Sequence, residues 1–455
     1  MGYATVTPRL SLADLPNEIL IEIFSQLCHH CRPDHELSWS QPHKPSLAAL
    51  CRVSRHISWL ATPILYHSLD GGRVYMFETL RFLRTVFERR DLAAHVRVFA
   101  PFVRRRCIME ITKELMELLN DICHFLGIPP YDPIKRELHI AVLLKELAIR
   151  AHSLTELTLV PVQLAKSSEE EDALRSLATD PTRPLRSLRK LDMYHETESD
   201  NAFALGTIGT DLLLSAACSL EMLELNGFAR VSPTLPLLPN VREVNLTLCS
   251  LGSDDLANLI ESLPNLEIFR YTSKGSIDLT LNDQTDFTPA EAATQLHKRR
   301  GTLKHLSLGT SLPSCRWLAP GDVTRSYSDF PALQVLELHS LHIFPDPMLP
   351  PSRGRRLVGL IPPSIRHLVI LGPCPSCEAA ALASAAAAGH FPRLETVSFE
   401  AVVPRILNDH RMYKMWEMDR ACWAQLKAAS IDAGIILSDI PDAYALNKKM
   451  SVAVV

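Results

Sequence analysis

The sequence lacks the excess of basic residues that marks proteins which bind nucleic acid through its phosphates. Its 455 residues include 47 Lys and Arg against 51 Asp and Glu, a formal net charge of -4 at pH 7. It also lacks any run of roughly 18 apolar residues, as a membrane-spanning helix requires, and its first ten residues, MGYATVTPRL, contain no apolar signal stretch. We therefore expect a cytoplasmic or nuclear protein that binds neither nucleic acid nor a membrane.

The spacings that carry the chemistry of common enzymes are missing as well. There is no GxSxG, no HExxH, no phosphate-binding GxxxxGK[ST] and no dinucleotide-binding GxGxxG. Hydrophobic residues make up 47% and charged residues 22%, the balance of a folded protein. We expect no catalytic residue, no cofactor and a function in binding, with an enzyme hidden in an irregular repeat fold as an alternative.

The 11 cysteines are an odd number scattered through the chain, which favours reduced thiols over a disulfide framework. One group, Cys28, Cys31, His35 and His43, offers ligands that zinc accepts. No second Cys-x-x-Cys lies at a zinc-finger distance, and the prolines around this group are typical of a loop. The sequence therefore predicts no metal site.

Two apolar segments predict about three short helices near the amino terminus. In DLPNEILIEIFSQL, residues 14–27, Pro16 can open a helix on which apolar side chains recur at helical spacing. In PSLAALCRVSRHISWLATPILYHSL, residues 45–69, the same spacing runs until Pro63. Because so small a group of helices buries little surface by itself, its apolar side chains must contact the rest of the chain or another protein.

These two segments resemble the F-box, with its Leu-Pro-x-Glu-Ile-Leu start, a Val-Ser-Arg helix and a Pro-Ile-Leu-Tyr closing turn. The resemblance implies an F-box-like helical domain over residues 12–70, with an insertion at 28–46 after a disordered start at 1–11. It implies that this domain binds the Skp-type adaptor of a cullin-RING (SCF-type) ubiquitin ligase. The adaptor-binding residues carried over from the pattern are Leu15, Pro16, Ile19, Leu20, Ile23, Leu50, Val53 and Ser54.

The rest of the chain repeats a strand pattern, apolar-x-x-apolar-x-apolar, nine times. The segments are LTELTL, LRKLDM, LEMLEL, VREVNL, LEIFRY, LKHLSL, LQVLEL, IRHLVI and LETVSF, with HVRVFA at His95 as an atypical first strand. They resemble irregular leucine-rich repeats. The resemblance implies an α+β to α/β solenoid over residues 92–430, with parallel strands on the concave side and helices and loops on the convex side. A linker helix at 71–91 would precede it, and a cap and tail at 431–455 would follow.

The strand positions between the apolar ones would line the concave face, and they are mildly acidic. We expect a protein substrate with a basic or neutral segment to bind there, through Glu224, Glu243, Arg270, His305, Glu337 and His339. The predicted function is substrate recognition for the ligase. The alternative is a leucine-rich scaffold or signalling protein without a ligase, in which the first helices only cap the repeats.

Overall fold

A computed structural model gives the fold of the chain. It describes residues 14–31, 44–70, 76–100, 112–130, 143, 146–159, 185–194, 203–206, 208–273, 286–310, 323, 326–344, 356–371, 376–400 and 436–438. The chain forms two compact units. Unit 1 comprises Met1–Glu196 and Ile208–Leu220, and unit 2 comprises Thr197–Thr207 and Glu221–Val455.

Unit 1 begins with three helices that we call the helical module, residues 14–31 and 44–67. They are α1 (Asn17–Ser25), α2 (Lys44–Leu50) and α3 (Arg55–Leu65), with a 3₁₀ turn at His29–Cys31. Their shared core consists of Leu20, Phe24, Cys28, Leu47, Ile57, Leu60, Ala61 and Ile64. Three helices are therefore present, as the sequence predicts, although α3 runs through Pro63 instead of stopping there.

The helices of the module are followed in unit 1 by short parallel strands. They are β1 (Ser68–Asp70), β2 (Val98–Ala100), β3 (Glu156–Leu159) and β4 (Lys190–Tyr194), paired in that order. Helices α4 (Met76–Glu88), α5 (Arg90–Ala93), α6 (Lys113–Leu126) and α7 (Ile208–Ala216) also belong to this unit. The sequence predicts a last apolar turn where β1 forms, and the pairing of β1 with β2 joins the helical module to the strands.

Unit 2 is an α/β structure around a long parallel sheet. Its strands are β6 (Met222–Asn226), β8 (Glu243–Cys249), β9 (Ile268–Ser273), β10 (His305–Thr310), β11 (Val335–His339), β12 (His367–Leu371), β13 (Thr396–Glu400) and β14 (Ile436–Ser438), adjacent in that order. The helices are α8 (Ser253–Ser262), α9 (Pro289–Leu296), α10 (Ser340–Ile343), α11 (Arg356–Leu360) and α12 (Ser376–Ala387), with a 3₁₀ turn at His297–Arg299. Strands thus alternate with helices or loops, as an α/β repeat requires.

All nine predicted repeat segments form strands, and their apolar positions stack in register. Leu223, Val244, Phe269, Leu306, Leu336 and Leu368 form one buried row across adjacent strands of unit 2. The positions on either side of each member point to the opposite face, because side chains alternate along a strand. The sheet therefore has one apolar face against the core and one face of mixed polar side chains.

A second sheet of two strands was not predicted from the sequence. It pairs β5 (Phe203–Leu205) with β7 (Phe228–Val231). The carboxylate of Asp255 in α8 accepts hydrogen bonds from the backbone N–H of Val231 at 2.7 Å and of Gly252 at 3.1 Å. This residue therefore connects β7 to the start of α8.

Among the helices in the described part of the chain, none combines the length and the apolar character that a membrane-spanning segment needs.

Candidate functional site

The helical module exposes an unusual share of large apolar side chains. Eight large hydrophobic residues are exposed among the described residues, and five of them belong to this module. They are Ile19 (48% exposed), Ile21 (43%), Ile23 (40%), Val53 (65%) and Trp59 (69%). The other three are Phe125, Ile149 and Leu237. Because exposed apolar surface concentrated in one small region often marks an interaction site, the module is the first candidate site.

The residues predicted to bind an adaptor divide into three groups. Pro16, Ile19, Ile23, Val53 and Ser54 are exposed. Two further positions, Leu15 and Leu50, are half-buried and pack against the core of the module. The third group is Leu20 alone, and there the prediction is wrong. Its side chain is fully buried in the core, so it holds the module together and cannot contact a partner.

Sequence reasoning missed two exposed residues of the module, Ile21 and Trp59. Trp59 lies on α3 between core residues Ile57 and Leu60, but about 200° around the helix from Ile57, on the opposite side. The sequence alone could have indicated that Trp59 is exposed, because this tryptophan falls outside the helical spacing of the apolar residues in α3. Ser54 has a structural role besides its exposure, since its side-chain oxygen accepts a hydrogen bond from the N–H of Ile57 at 3.2 Å and caps α3.

The second candidate site is a line of polar side chains on the outer face of the unit 2 sheet, which we call the polar row. It consists of Glu224, Glu243, Asn245, Arg270, His305 and Glu337. These residues belong to five adjacent strands, β6, β8, β9, β10 and β11. Five of the six were predicted as substrate-binding residues, and the structure places them together.

Asn245 links the acidic end of the polar row to its basic centre. Its side-chain N–H₂ donates to Glu224 at 3.3 Å and to Glu243 at 3.1 Å, and its oxygen accepts from Arg270 Nη1 at 3.0 Å. Arg270 also forms an ion pair with Glu243. Sequence reasoning missed Asn245 because it searched this face for charged side chains, whereas the link is an uncharged amide that can donate and accept at once.

The other end of the polar row is held by His305. Arg270 Nη2 lies 3.4 Å from His305 Nδ1, and His305 Nε2 lies 3.6 Å from Glu337 Oε1. The latter distance exceeds that of an ordinary hydrogen bond, so we treat the contact as electrostatic. The His305 ring, with help from Ser307, holds the pKa of Glu337 below its ordinary value although partial burial acts in the opposite direction. Three carboxylates thus face one guanidinium, and the row remains acidic.

His339 does not belong to the polar row, which corrects the sequence-based prediction. Its side chain is only 5% exposed, and its ring centre lies 5.9 Å from that of His342 in α10. Burial lowers the pKa of His339 to about 4. The ring is therefore neutral at physiological pH and is enclosed at the end of β11, where α10 follows directly.

A third group of functional side chains lies in unit 1, where Cys28, His30, Cys31 and His67 converge. Their potential ligand atoms all lie within 4.8 Å of one another. Burial lowers the pKa of His67 to about 4, and burial together with Cys28 raises the pKa of Cys31 above its ordinary value. The sequence suggested His35 and His43 as partners of the cysteines, but both lie outside the described residues. His30 and His67 were missed.

Comparison with known proteins identifies no family for the chain. No protein-family model matches it, and no curated protein matches it. A crystal structure of a Bacteroides fragilis protein, a structural genomics target, matches with a TM-score of 0.35 and 12% sequence identity. The match covers 64% of this chain and 66% of that chain, just under two thirds of its length. A similarity of this strength carries no argument about fold or function.

Proposed function

We propose that the chain is the substrate-recognition subunit of a cullin-RING ubiquitin ligase of the SCF type. Its helical module would bind a Skp-type adaptor, and the sheet face of unit 2 would hold a protein substrate. The observation that carries the proposal is the concentration of exposed apolar side chains in the module, whose sequence resembles the F-box. Such a subunit acts in the cytoplasm or nucleus and needs no catalytic residue or cofactor of its own.

The composition of the module's core supports the view that its exposed apolar side chains contact a partner protein. Its eight buried residues close the interior between α1, α2 and α3, so Ile19, Ile23 and Val53 are not needed to fill it. Complete burial of one such side chain against a partner contributes up to about 1.5–3 kcal/mol. Several together can offset the loss of translational and side-chain freedom on association.

The proposed substrate site is the polar row, on the concave side of a leucine-rich-repeat solenoid. Strands from successive repeats give such a surface a fixed spacing, and contacts across strands order its side chains. The excess of carboxylates over guanidinium groups favours a basic or neutral substrate segment, because complementary charge steers association and partner choice.

Adaptor capture by the full chain tests the proposal. Ile23→Ser and Ile149→Ser form a matched pair, because the two side chains are 40% and 39% exposed but only Ile23 belongs to the module. We expect the Ile23 variant, and more strongly Ile19→Ser with Ile23→Ser, to lose adaptor capture while Ile149→Ser retains it. Circular dichroism checks that each variant is folded.

Three results would count against the proposal. If the unaltered full chain fails to capture the adaptor, the alternative of a leucine-rich scaffold without a ligase is favoured. If both members of the matched pair capture the adaptor equally well, the exposed face of α1 is not the docking surface. Measured turnover of a substrate by the isolated chain would instead support an enzyme.

A further inference from the structure

A cluster of two cysteines and two histidines lies where the turn after α1 meets the junction of α3 and β1. It consists of Cys28, His30, Cys31 and His67. Cys31 Sγ lies 3.4 Å from His67 Nδ1 and 3.8 Å from His30 Nδ1, and Cys28 Sγ lies 4.0 Å from His67 Nδ1. Zinc bonds of about 2.3 Å to sulfur and 2.0–2.1 Å to nitrogen imply ligand separations of roughly 3.3–3.8 Å around a tetrahedral ion. These three separations lie within or close to this range, and no two of the potential ligand atoms are more than 4.8 Å apart, so side-chain shifts of about 1 Å would bring all four to a metal.

The two cysteine thiols compete for the same ring nitrogen. Both cysteine sulfurs face the same nitrogen, His67 Nδ1, which can take part in only one strong hydrogen bond as donor or acceptor. At 4.0 Å, the contact from Cys28 is also long for a thiol–imidazole hydrogen bond. A cation placed between the sulfurs and the nitrogen would interact with all of them at once.

The backbone holds the four residues in place from two directions. The N–H of Cys28 donates to Ser25 O at 3.0 Å, and the N–H of Cys31 donates to Cys28 O at 3.1 Å, which fixes the turn after α1. The carbonyl of His67 accepts from Arg97 N at 2.8 Å and from Val98 N at 3.0 Å, which fixes the junction of α3 and β1. Cys28 is in addition buried in the core.

We propose that these four residues form a structural zinc site with two thiolate and two imidazole ligands. Two thiolates balance the charge of a divalent ion, so the site needs no further carboxylate. Tetrahedral sites of two sulfurs and two nitrogens suit zinc, and four protein ligands leave no open position for catalysis. The cysteines were expected to be loop thiols, but that expectation did not include His30 and His67, which the fold supplies.

Zinc at this position would close a long segment of chain onto the module. His67 follows Cys28 by 39 residues and Cys31 by 36, so the ion would join the end of α1 to the junction of α3 and β1. Metal binding that exists only in the folded state is coupled to folding. Zinc would therefore stabilise the module against unfolding, independently of whether the module binds an adaptor.

The test uses the full chain purified under reducing conditions, with zinc measured by elemental analysis after removal of loosely bound metal. We expect about one zinc per chain. Cys31→Ser and His67→Asn should lose it. Two controls should retain it: Cys51→Ser removes a half-buried thiol elsewhere in the module, and His95→Gln removes a ring whose centre lies 6.5 Å from that of His67.

A second measurement on the unaltered chain keeps the proposal testable if a variant fails to fold. After chelation, added Co²⁺ should give the visible absorption bands of a tetrahedral ion with thiolate ligands, and added zinc should abolish them and raise the melting temperature. Absence of these bands from the folded, reduced chain would overturn the proposal. So would equal zinc loss in the variants and controls, or a Cys28–Cys31 disulfide in the reduced preparation.

Discussion

Arg270 and Asn245 lie opposite each other on neighbouring strands, and Arg270 Nη1 donates to the Asn245 side-chain oxygen at 3.0 Å. Since Asn245 also donates to Glu224 and Glu243, the predicted acidic surface is a connected network and not a set of independent charges. Replacing one member therefore changes the contacts of its neighbours. Experiments on this face must separate loss of charge from loss of the network.

The coupling between Arg270 and Glu243 can be measured by a double-mutant cycle. Arg270→Gln, Glu243→Gln and the double variant remove the ion pair singly and together. Because the side chains are partly exposed, at 39% and 18%, we expect a coupling of about 0.5–1 kcal/mol in the free energy of unfolding. Urea denaturation at low and high salt supplies the measurement. Strictly additive effects would show that the pair is not coupled.

The two ends of the polar row allow charge to be changed without breaking this ion pair. Replacing Glu224 and Glu337 by Gln removes two negative charges and leaves Arg270 and Glu243 in place. We expect weaker capture of substrate proteins, with adaptor capture unchanged, because exposed charges on a rigid surface mainly determine partner choice. Proximity labelling with the full chain would compare the captured sets. If the variant and the unaltered chain capture the same proteins, the polar row is not the substrate-binding surface.

The sequence predicted the repeat strands because each segment has apolar residues at its first, fourth and sixth positions. The first lies just before the strand, whereas the fourth and sixth lie within it on one buried face, as Leu157 and Leu159 do in β3. These positions became the stacked rows through Leu223, Val244 and their counterparts. Strand β1 was not predicted, because its three residues form a strand only by pairing with β2, about 30 residues further along the chain. His67 escaped for the same reason, since its proximity to Cys31 depends on the fold of the module and not on local spacing.

Leu20 and Ile23 show why helical spacing alone could not assign the adaptor-binding residues. Both are apolar and on α1, yet Leu20 is fully buried and Ile23 is 40% exposed. Leu20→Ala should lower the free energy of unfolding of the module by about 2–5 kcal/mol, because it leaves a cavity. Ile23→Ala should change it by less than about 1 kcal/mol, while weakening adaptor capture. Denaturant unfolding with binding measured in parallel distinguishes them, and similar destabilisation by both would contradict the assignment.

Ser54 can be tested as a helix cap separately from its proposed adaptor contact. Ser54→Ala removes the oxygen that accepts from Ile57 N and should cost about 1 kcal/mol of stability. Ser54→Asp supplies another capping oxygen and should restore most of that loss. Thermal unfolding measures the cap, and adaptor capture measures the contact. If Ser54→Asp is no more stable than Ser54→Ala, the capping role is wrong.

His339 should make the stability of unit 2 depend on pH. Its pKa is about 4 in the folded chain and about 6.5 for an unperturbed histidine, so the unfolded chain binds the proton first as the pH falls. The contribution of the neutral ring is therefore complete above about pH 6.5 and is lost between about pH 6.5 and pH 4. At about 1.4 kcal/mol per pKa unit, the loss approaches about 3 kcal/mol.

Comparison of pH profiles isolates this effect from that of other titrating groups, including His67 and the neighbouring His342. His339→Leu removes the titrating ring, whereas His390→Leu removes an exposed one and serves as the control. Urea unfolding at several values from pH 7 to pH 4 should show a shallower loss of stability for His339→Leu than for the unaltered chain or the control. The slope matters more than absolute stability, because the substitution also changes packing at every pH. Parallel profiles for all three chains would show that burial of His339 does not control acid sensitivity.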